Sequence, residues 1–433
     1  MATRRDFLKA AGGVTAAAFG VGCSGRSGTS VPAGPADLLY VEIAGGLAVV
    51  DARRRALAVP ATRAIASADW SRLYLTRREP GGAALVTLEA ATGRELSRVA
   101  VASGLVRMAA PGGLAAQAVS AAGRLVALAD PGPGGRPPYR PISRRRSTIV
   151  VADPTGARRP RRLVLDGNYE VDAFSADDRS VFVLQYLPAT APDRYRVRVC
   201  DLSTGTVGPL LTRTKAAVPP GAEEEMRGEG RQAVLAPSRD RLYTLYTHQP
   251  EHQHTRDLLT GHRRESEVHA FVHVLSLTEG WAYCVDLPEP FGRGPAAAHT
   301  LALAPDGSRL FVADMSTGRL VVADTEQLQI IRTVRLGGQV EADAPAAAQV
   351  APDGTLLFLG AGERVRAVDL AALTVTHTLP VSTAVRGLAV GPRLGSVYVG
   401  QRDHIVRLDV ASGREVGRLA VPGLAELRHA RAR

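Results

Sequence analysis

Short apolar runs alternate with tight-turn residues along almost the whole chain, and no amphipathic-helix period is sustained. The clearest unit is an apolar run at 301–304, then the turn Pro305-Asp306-Gly307, then a second apolar run at 310–313. Proline presets the backbone for a turn and glycine accepts positive φ, so this unit predicts two antiparallel strands joined by a hairpin. The pattern returns at 349–359 and, without the glycine, at 235–243.

Each hairpin is followed by a β-branched run that ends in an acidic residue, and then by a fourth strand-like run. The clearest third runs end at Asp324, Asp369 and Asp409. Because this acidic residue recurs in nearly every unit, we interpret it as an acceptor that fixes a turn, not as a catalytic carboxylate. Four short strands repeating every 40 to 50 residues or so are typical of a β-propeller.

The repeat therefore predicts an all-β fold, a single β-propeller of four-stranded antiparallel blades. Counting the units gives eight blades, with seven as the alternative if the third unit is degenerate. The first unit lacks an inner strand, and a spare strand-like segment lies at 423–428. We expect this C-terminal strand to complete the first blade and close the ring, because closure removes exposed sheet edges.

The sequence of the repeat resembles the YVTN family of β-propeller repeats, and this resemblance extends from residue 36 to residue 433. The matching phrases are Pro-Asp-Gly at 305–307, Leu-Phe-Val-Ala-Asp at 310–314 and Val-Val-Ala-Asp at 321–324. Asp314, Gly360 and Gly400 stand where the family has Asn, and the Trp-Asp dipeptide of WD40 blades is absent. The resemblance thus implies membership of the broad YVTN/WD40-like superfamily.

The N-terminus resembles a twin-arginine export signal, whose matching positions are Arg4, Arg5, Phe7 and Leu8. The apolar run behind them is too short to span a bilayer. Residues 20–23, Gly-Val-Gly-Cys, resemble a lipoprotein lipobox, which implies that Cys23 carries the lipid.

These resemblances imply a signal peptide at 1–22, a flexible tether at 23–36 and the propeller at 37–433. The expected location is the extracytoplasmic face of a bacterial membrane, with attachment through the lipid on Cys23. Ordinary cleavage nearby is the alternative, and it would give a secreted protein.

The charge and the cysteines narrow the choice of partners. The net charge is +11, but the arginines are scattered through turns and no nucleic-acid-binding motif accompanies them, so we predict no nucleic-acid partner. Cys200 and Cys284 either form one disulfide or remain two buried free thiols. We expect a monomer.

Four connections are much longer than the others, and long loops in compact domains are often functional. In an up-and-down sheet, all four connections emerge on one rim, over blades three to five. There they form either a binding site beside the channel mouth or disordered loops without a function. They span 131–147, 187–194, 212–231 and 248–267. The charge runs Arg144-Arg145-Arg146 and Glu223-Glu224-Glu225 lie in two of them. These two charge runs either pair with each other across the rim, bind separate partners or remain solvated.

The last insertion is rich in histidine. His252 and His254 alternate, so on an extended segment both imidazoles face one way, and His248 or Glu251 completes a three-ligand metal site. The spacing matches no standard zinc signature, and an exposed polar loop is the alternative. Apart from the lipid, no cofactor is predicted.

No motif of a catalytic site is present, so no catalytic residue is predicted and we expect a non-enzymatic protein. The sequence favours a ligand-binding or protein-binding and scaffolding module outside the cytoplasm, with an envelope protein or a small ligand as its partner. The alternatives are a propeller hydrolase such as a lactonase and a metal-dependent redox propeller.

Overall fold

The predicted strands are present in a computed structural model, which describes residues 37–433 apart from ten short segments. These are 44–45, 54–55, 63, 102–106, 109–117, 130–142, 250–251, 262–269, 338–344 and 393–394. Across the described residues, 32 strands form eight four-stranded antiparallel sheets. This part of the chain also contains α1 (Thr255–Thr260) and a 3-10 helix at Ala296–Ala298. It contains no helix that is both long and apolar enough to cross a lipid bilayer.

The first four sheets are blades 1 to 4. Blade 1 contains β1 (Asp37–Ile43), β2 (Gly46–Asp51), β3 (Ala56–Thr62) and β32 (Leu424–Ala432). Blade 2 contains β4 (Ile65–Ala66), β5 (Arg72–Glu79), β6 (Gly82–Glu89) and β7 (Glu95–Val101). Blade 3 contains β8 (Arg107–Met108), β9 (Val126–Ala129), β10 (Arg146–Ala152) and β11 (Arg161–Asp166). Blade 4 contains β12 (Asn168–Phe174), β13 (Ser180–Leu187), β14 (Arg194–Asp201) and β15 (Val207–Gly208).

Blades 5 to 8 follow the same strand order. Blade 5 contains β16 (Glu229–Leu235), β17 (Arg241–Thr247), β18 (Ala270–Ser276) and β19 (Ala282–Asp286). Blade 6 contains β20 (His299–Leu303), β21 (Arg309–Asp314), β22 (Arg319–Asp324) and β23 (Gln329–Arg335). Blade 7 contains β24 (Ala347–Val350), β25 (Leu356–Ala361), β26 (Arg364–Asp369) and β27 (Thr374–Pro380). Blade 8 contains β28 (Leu388–Val390), β29 (Ser396–Gln401), β30 (His404–Asp409) and β31 (Glu415–Ala420).

The ring is closed by the C-terminal strand, as the sequence predicted. β32 pairs antiparallel with β1 in blade 1 and also contacts β28, the inner strand of blade 8. Two ion pairs support the closure: Arg428 Nη2 lies 2.8 Å from Glu42 Oε1, and Arg433 Nη1 lies 2.7 Å from Asp51 Oδ2. The eight-blade propeller is thereby confirmed and the seven-blade alternative is wrong.

The recurring acidic residues hold turns, as expected from their repetition. Asp369 Oδ1 accepts hydrogen bonds from the N–H groups of Ala371 at 2.9 Å and Ala372 at 2.7 Å. Asp324 Oδ1 accepts the corresponding N–H groups of Glu326 and Gln327 at 2.9 and 2.8 Å. These carboxylates replace backbone acceptors in turns between the third and fourth strands.

The core consists of apolar layers between neighbouring blades. All seven residues of β18 are buried, and they alternate between two layers. Val272 belongs to a cluster shared with blade 6, whereas Phe271 belongs to a cluster shared with blade 4. Full burial of such a side chain contributes about 1.5–3 kcal/mol. The interface between blades 4 and 5 is therefore an apolar layer in which any buried charge needs a partner.

Candidate metal centre

The described parts of the four insertions contact one another on one rim. The N–H of Arg144 donates to the carbonyl of Ala189 at 3.0 Å, which joins the insertions of blades 3 and 4. The N–H of Arg227 donates to Gln249 Oε1 at 2.9 Å, which joins the linker between blades 4 and 5 to the blade 5 insertion. Most of the blade 3 insertion lies outside the described residues.

The two predicted charge runs have partners other than each other. Glu223 lies within 3.0 and 3.1 Å of Arg196 and Arg198, and Glu225 Oε2 lies 2.7 Å from Arg194 Nε. These arginines belong to β14 of blade 4. Arg146 pairs with Asp166 at 2.9 Å, in the neighbouring strand of its own blade, and the N–H of Gly167 donates to the carbonyl of Arg145 at 2.9 Å.

Glu224 points the other way and joins a group of metal-ligand residues at the outer edge of the interface between blades 4 and 5. The group consists of Glu224, His252, His254 and Cys284, and their ligand atoms all lie within 4.8 Å of one another. We call it the Glu–His–His–Cys group. It combines the blade 4–5 linker, the blade 5 insertion and the outer strand β19.

The two imidazoles are oriented by contacts on their far sides. His252 stacks on Phe271 with ring centroids 4.3 Å apart, and its Nδ1 lies 3.2 Å from the carbonyl oxygen of Glu225. A carbonyl only accepts, so His252 Nδ1 carries the proton and Nε2 faces the group. His254 Nε2 lies 2.6 Å from Asp286 Oδ1, which directs Nδ1 of His254 towards His252 Nε2 at 3.1 Å.

The Glu224 carboxylate contacts both the Cys284 thiol and the imidazole of His273. The thiol of Cys284 donates to Glu224 Oε1 at 3.4 Å, and His273 Nε2 lies 3.4 Å from the same oxygen. His273 and Cys284 are cross-strand neighbours on β18 and β19. The N–H of Glu224 donates to Thr255 Oγ1 at 3.3 Å, which ties the linker to the insertion.

Burial and mutual charge set the protonation of the group. Burial lowers the pKa of His252 to about 4, so its ring is neutral at pH 7. Burial also opposes the charged form of His254, but hydrogen bonds to Asp286 and Glu224 outweigh it and raise its pKa to about 9. For Glu224, hydrogen bonds from His254 and His273 outweigh burial and hold the pKa well below its usual value.

Burial and the Glu224 charge raise the pKa of the Cys284 thiol well above its usual value. At neutral pH the group therefore contains one imidazolium, one carboxylate, one neutral imidazole and one thiol. To bind here, a metal ion would have to replace the protons on His254 Nδ1 and Cys284 Sγ, because ligand atoms must be deprotonated.

The structure brings together two of the three predicted histidine ligands. His252 and His254 converge as their alternation predicted, and each is only 4% exposed, so the exposed-loop alternative is wrong for both. His248 is exposed and lies outside the group, with its Nδ1 3.2 Å from Thr247 Oγ1. Glu251, Arg4, Arg5, Phe7, Leu8 and Cys23 lie outside the described residues.

Sequence reasoning missed Glu224 and Cys284 as members of the group. Glu224 was interpreted only as part of a charge run, and Cys284 as a core thiol or half of a disulfide. Cys200 and Cys284 are in fact both buried and free. The signal that remained in the sequence is His273 and Cys284, a polar and a thiol side chain at paired buried positions of β18 and β19, where most of the other residues are apolar.

The position of the group differs from the expected site at the channel mouth. Cys284 lies on the outermost strand of blade 5, and a small cavity of about 30 Å³ beside Glu224 is lined by His273, Thr255 and Ala282, among others. The centre is thus at the periphery of the ring, under the blade 5 insertion.

Comparison with known proteins places the chain by its fold. No protein-family model and no curated protein matches the chain. The crystal structure of AztD from Citrobacter koseri matches 92% of this chain and 98% of its own length, with a TM-score of 0.54 and 11% identity. Sqt1 from Saccharomyces cerevisiae matches 84% of this chain and 86% of its own, with a TM-score of 0.50 and 10% identity. The structure of the dihydro-heme d1 dehydrogenase NirN matches 94% of this chain and 77% of its own length, with a TM-score of 0.49 and 16% identity. At 10–11% identity, the matches to AztD and Sqt1 show a likeness of fold and nothing more.

Proposed function

We propose that this protein is a metal-binding β-propeller that acts on the extracytoplasmic face of a bacterial membrane. The observation that carries the proposal is the convergence of Glu224, His252, His254 and Cys284 on one buried point. Each of these side chains is a common ligand of divalent transition metals.

The burial of these groups supports a bound cation. An ionised carboxylate taken out of water costs several kcal/mol unless it is paired, and the surrounding layer is apolar. Glu224 Oε2, His252 Nε2 and His254 Nδ1 point inward as electron-pair donors once His254 is deprotonated there. A cation bound between these three atoms would accept an electron pair from each and offset the negative charge of Glu224.

Binding accounts for the group better than catalysis does. Hydrolase chemistry has no supporting arrangement among the described residues, and the redox alternative would have to use this same group. Asp286 contacts the far nitrogen of His254, and the backbone carbonyl of Glu225 contacts the far nitrogen of His252. Contacts of this kind orient metal-ligating histidines.

The extracytoplasmic location rests on the sequence. Arg4, Arg5, Phe7 and Leu8 match a twin-arginine signal, and Cys23 stands at the expected position for lipid attachment. A twin-arginine route carries folded proteins, which suits a ring that closes only when its last strand has been made. On this proposal the chain is a YVTN-like lipoprotein.

Elemental analysis of the purified full chain tests the proposal. We expect one equivalent of a transition metal per chain, and loss of most of it in the His252→Ala and His254→Ala variants. His248→Ala is the matched control, because His248 lies in the same insertion but outside the group. Equal metal loss in the control, or no metal uptake by the folded wild-type chain, would contradict the proposal.

A further inference from the structure

The Glu–His–His–Cys group has the donors and the spacing of a tetrahedral thiolate site. From these we propose that it binds a divalent cation of the zinc class, held by four protein atoms and by no exogenous ligand. This inference rests on the proposed metal-binding function and specifies its ion and its geometry.

The ligand atoms follow from the contacts on the far side of each ring. His252 Nδ1 is engaged by the carbonyl of Glu225, which leaves Nε2 as the ligand atom. His254 Nε2 is engaged by Asp286 at 2.6 Å, which leaves Nδ1. Glu224 Oε2 and Cys284 Sγ complete the set.

The distances between these atoms approach the edges of a zinc tetrahedron. Zn–N distances near 2.0–2.1 Å and a Zn–S distance near 2.3 Å give edges of about 3.3 Å between nitrogens and about 3.5 Å to sulfur. The two nitrogens lie 3.1 Å apart. Glu224 Oε2 lies 3.7 Å from His254 Nδ1 and 3.7 Å from Cys284 Sγ. Three of the six edges are thus within a few tenths of an ångström of the tetrahedral values, and the other three are no longer than 4.8 Å.

The donor types exclude the hard cations. Calcium and magnesium take oxygen ligands almost exclusively, and this group offers one carboxylate against two imidazoles and a thiol. Soft thiolate with imidazole selects zinc and related transition metals instead.

The site is closed, because four protein donors fill a tetrahedron. Only Glu224 among the four lines the neighbouring cavity, so that space lies beside the carboxylate and not at the centre of the group. The bound ion would connect the blade 4–5 linker, the blade 5 insertion and β19 through one shared point. A closed site of this kind holds its ion and does not present it to a substrate.

Cobalt substitution tests both the ion class and the geometry. The full chain is stripped with a chelator and titrated with Co²⁺, and its absorption spectrum is recorded. We expect the intense visible bands of four-coordinate cobalt and a near-ultraviolet thiolate-to-cobalt band, both abolished by one equivalent of Zn²⁺ and unaffected by excess Mg²⁺ or Ca²⁺.

Cysteine variants identify the thiolate. The Cys284→Ser variant should lose the thiolate-to-cobalt band, whereas Cys200→Ser and Cys23→Ser should keep it. Cys200 is the matched control, because it is the other buried free thiol. Thermal melting of each variant verifies that the fold is retained.

Three results would overturn the inference. These are a weak six-coordinate spectrum, a thiolate band that survives in folded Cys284→Ser, and displacement of cobalt by Ca²⁺ or Mg²⁺. In each case a metal is still bound and the proposed function stands. Failure of Co²⁺ and Zn²⁺ to bind at all would instead remove the proposed function together with this inference.

Discussion

Three consecutive glutamates in the blade 4–5 linker have different partners because they point to opposite sides of an extended segment. Glu223 and Glu225 pair with arginines of β14, whereas Glu224 enters the interface with blade 5. Met226, the next residue, exchanges two backbone hydrogen bonds with Tyr195 at 2.8 and 2.9 Å and so fixes the register. A shift of one residue would put Glu223 or Glu225 in the place of Glu224, the candidate ligand.

Metal affinity should rise steeply with pH. The pKa of His254 is raised to about 9 and that of Cys284 well above its usual value, so both carry protons at neutral pH that a metal ion must displace. Each displaced proton changes the affinity roughly tenfold per pH unit, so two protons give roughly a hundredfold between pH 6.5 and 7.5. Calorimetric titration with Zn²⁺ in buffers of different ionisation enthalpy measures both the affinity and the protons released.

The same titration can contradict this account. An affinity independent of pH over that range, with no proton release, would show that the ligand atoms are already deprotonated. Because burial lowers the pKa of His252 to about 4, this residue contributes no proton to the count at neutral pH.

At the scale of elements, the Glu–His–His–Cys group joins paired strands to irregular segments. Cys284 lies on β19, within a sheet that shares two apolar layers with its neighbours. The two histidines belong to an insertion whose described residues, 248–249 and 252–261, contain only the short helix α1 as regular secondary structure. The insertion depends on the strands for its position, but the sheet pairing of blade 5 does not pass through it.

Replacing residues 248–267 by a two-residue turn should leave the ring folded and remove the metal. β17 and β18 pair directly from Arg241–Ser276 at one end to Thr247–Ala270 beside the insertion. A short hairpin can therefore connect them. We expect cooperative thermal unfolding at a lower midpoint, because Phe271 loses its stacking partner His252, together with loss of bound metal. Differential scanning calorimetry and elemental analysis measure the two effects.

Loss of cooperative unfolding in that deletion variant would show that the insertion is structural. The matched control replaces 188–193 in blade 4 by the same turn. This deletion also removes a rim loop, but no member of the Glu–His–His–Cys group.

At the scale of the whole molecule, the described part of the chain from residue 37 onwards forms a ring whose last strand pairs with its first. β32 supplies the inner strand of blade 1, and Tyr398 of blade 8 donates a hydrogen bond to Asp37 at 2.7 Å. The ring is incomplete until residues 424–432 are made, so on the proposed twin-arginine route the chain would fold before it is exported.

On the proposed lipid attachment, Cys23→Ala should release the protein from membranes into the soluble fraction. Two or more acyl chains on one residue anchor a protein stably, since each buried methylene contributes about 0.8 kcal/mol. Fractionation followed by immunoblotting measures the partition, with Cys200→Ala as the control because Cys200 is buried in the ring. Unchanged membrane partition of the Cys23→Ala protein would contradict lipid attachment at this position.

The fold was predictable because its determinants are local. Each Pro-Asp-Gly turn and each terminal acidic residue acts on neighbours within two or three positions, as Asp306 does for Ser308 and Asp369 for Ala371. Repetition of such local signals reveals the number of strands and blades without any knowledge of distant contacts. The spare C-terminal segment predicted the closure, although β32 is longer than the 423–428 segment expected.

The Glu–His–His–Cys group was only half predictable. His252 and His254 are two positions apart, so strand-like alternation was enough to place them together. Glu224 and Cys284 are 60 positions apart, and each had an ordinary structural interpretation by itself. The predicted third ligand, His248, is nearer in sequence, but its backbone has a positive φ of 56° and its ring bonds locally to Thr247.

The sequence by itself therefore determined the repeating strands, the turns, the closing strand and the insertions over blades 3 to 5. Those features depend on residue type and short spacing, which a chain displays along its length. Only the tertiary structure decided which charges pair and which side chains surround the buried point between blades 4 and 5. That outcome depends on the packing of two blades and a linker, because an apolar interface excludes water and a buried polar group then finds its partners among the protein groups that packing brings beside it.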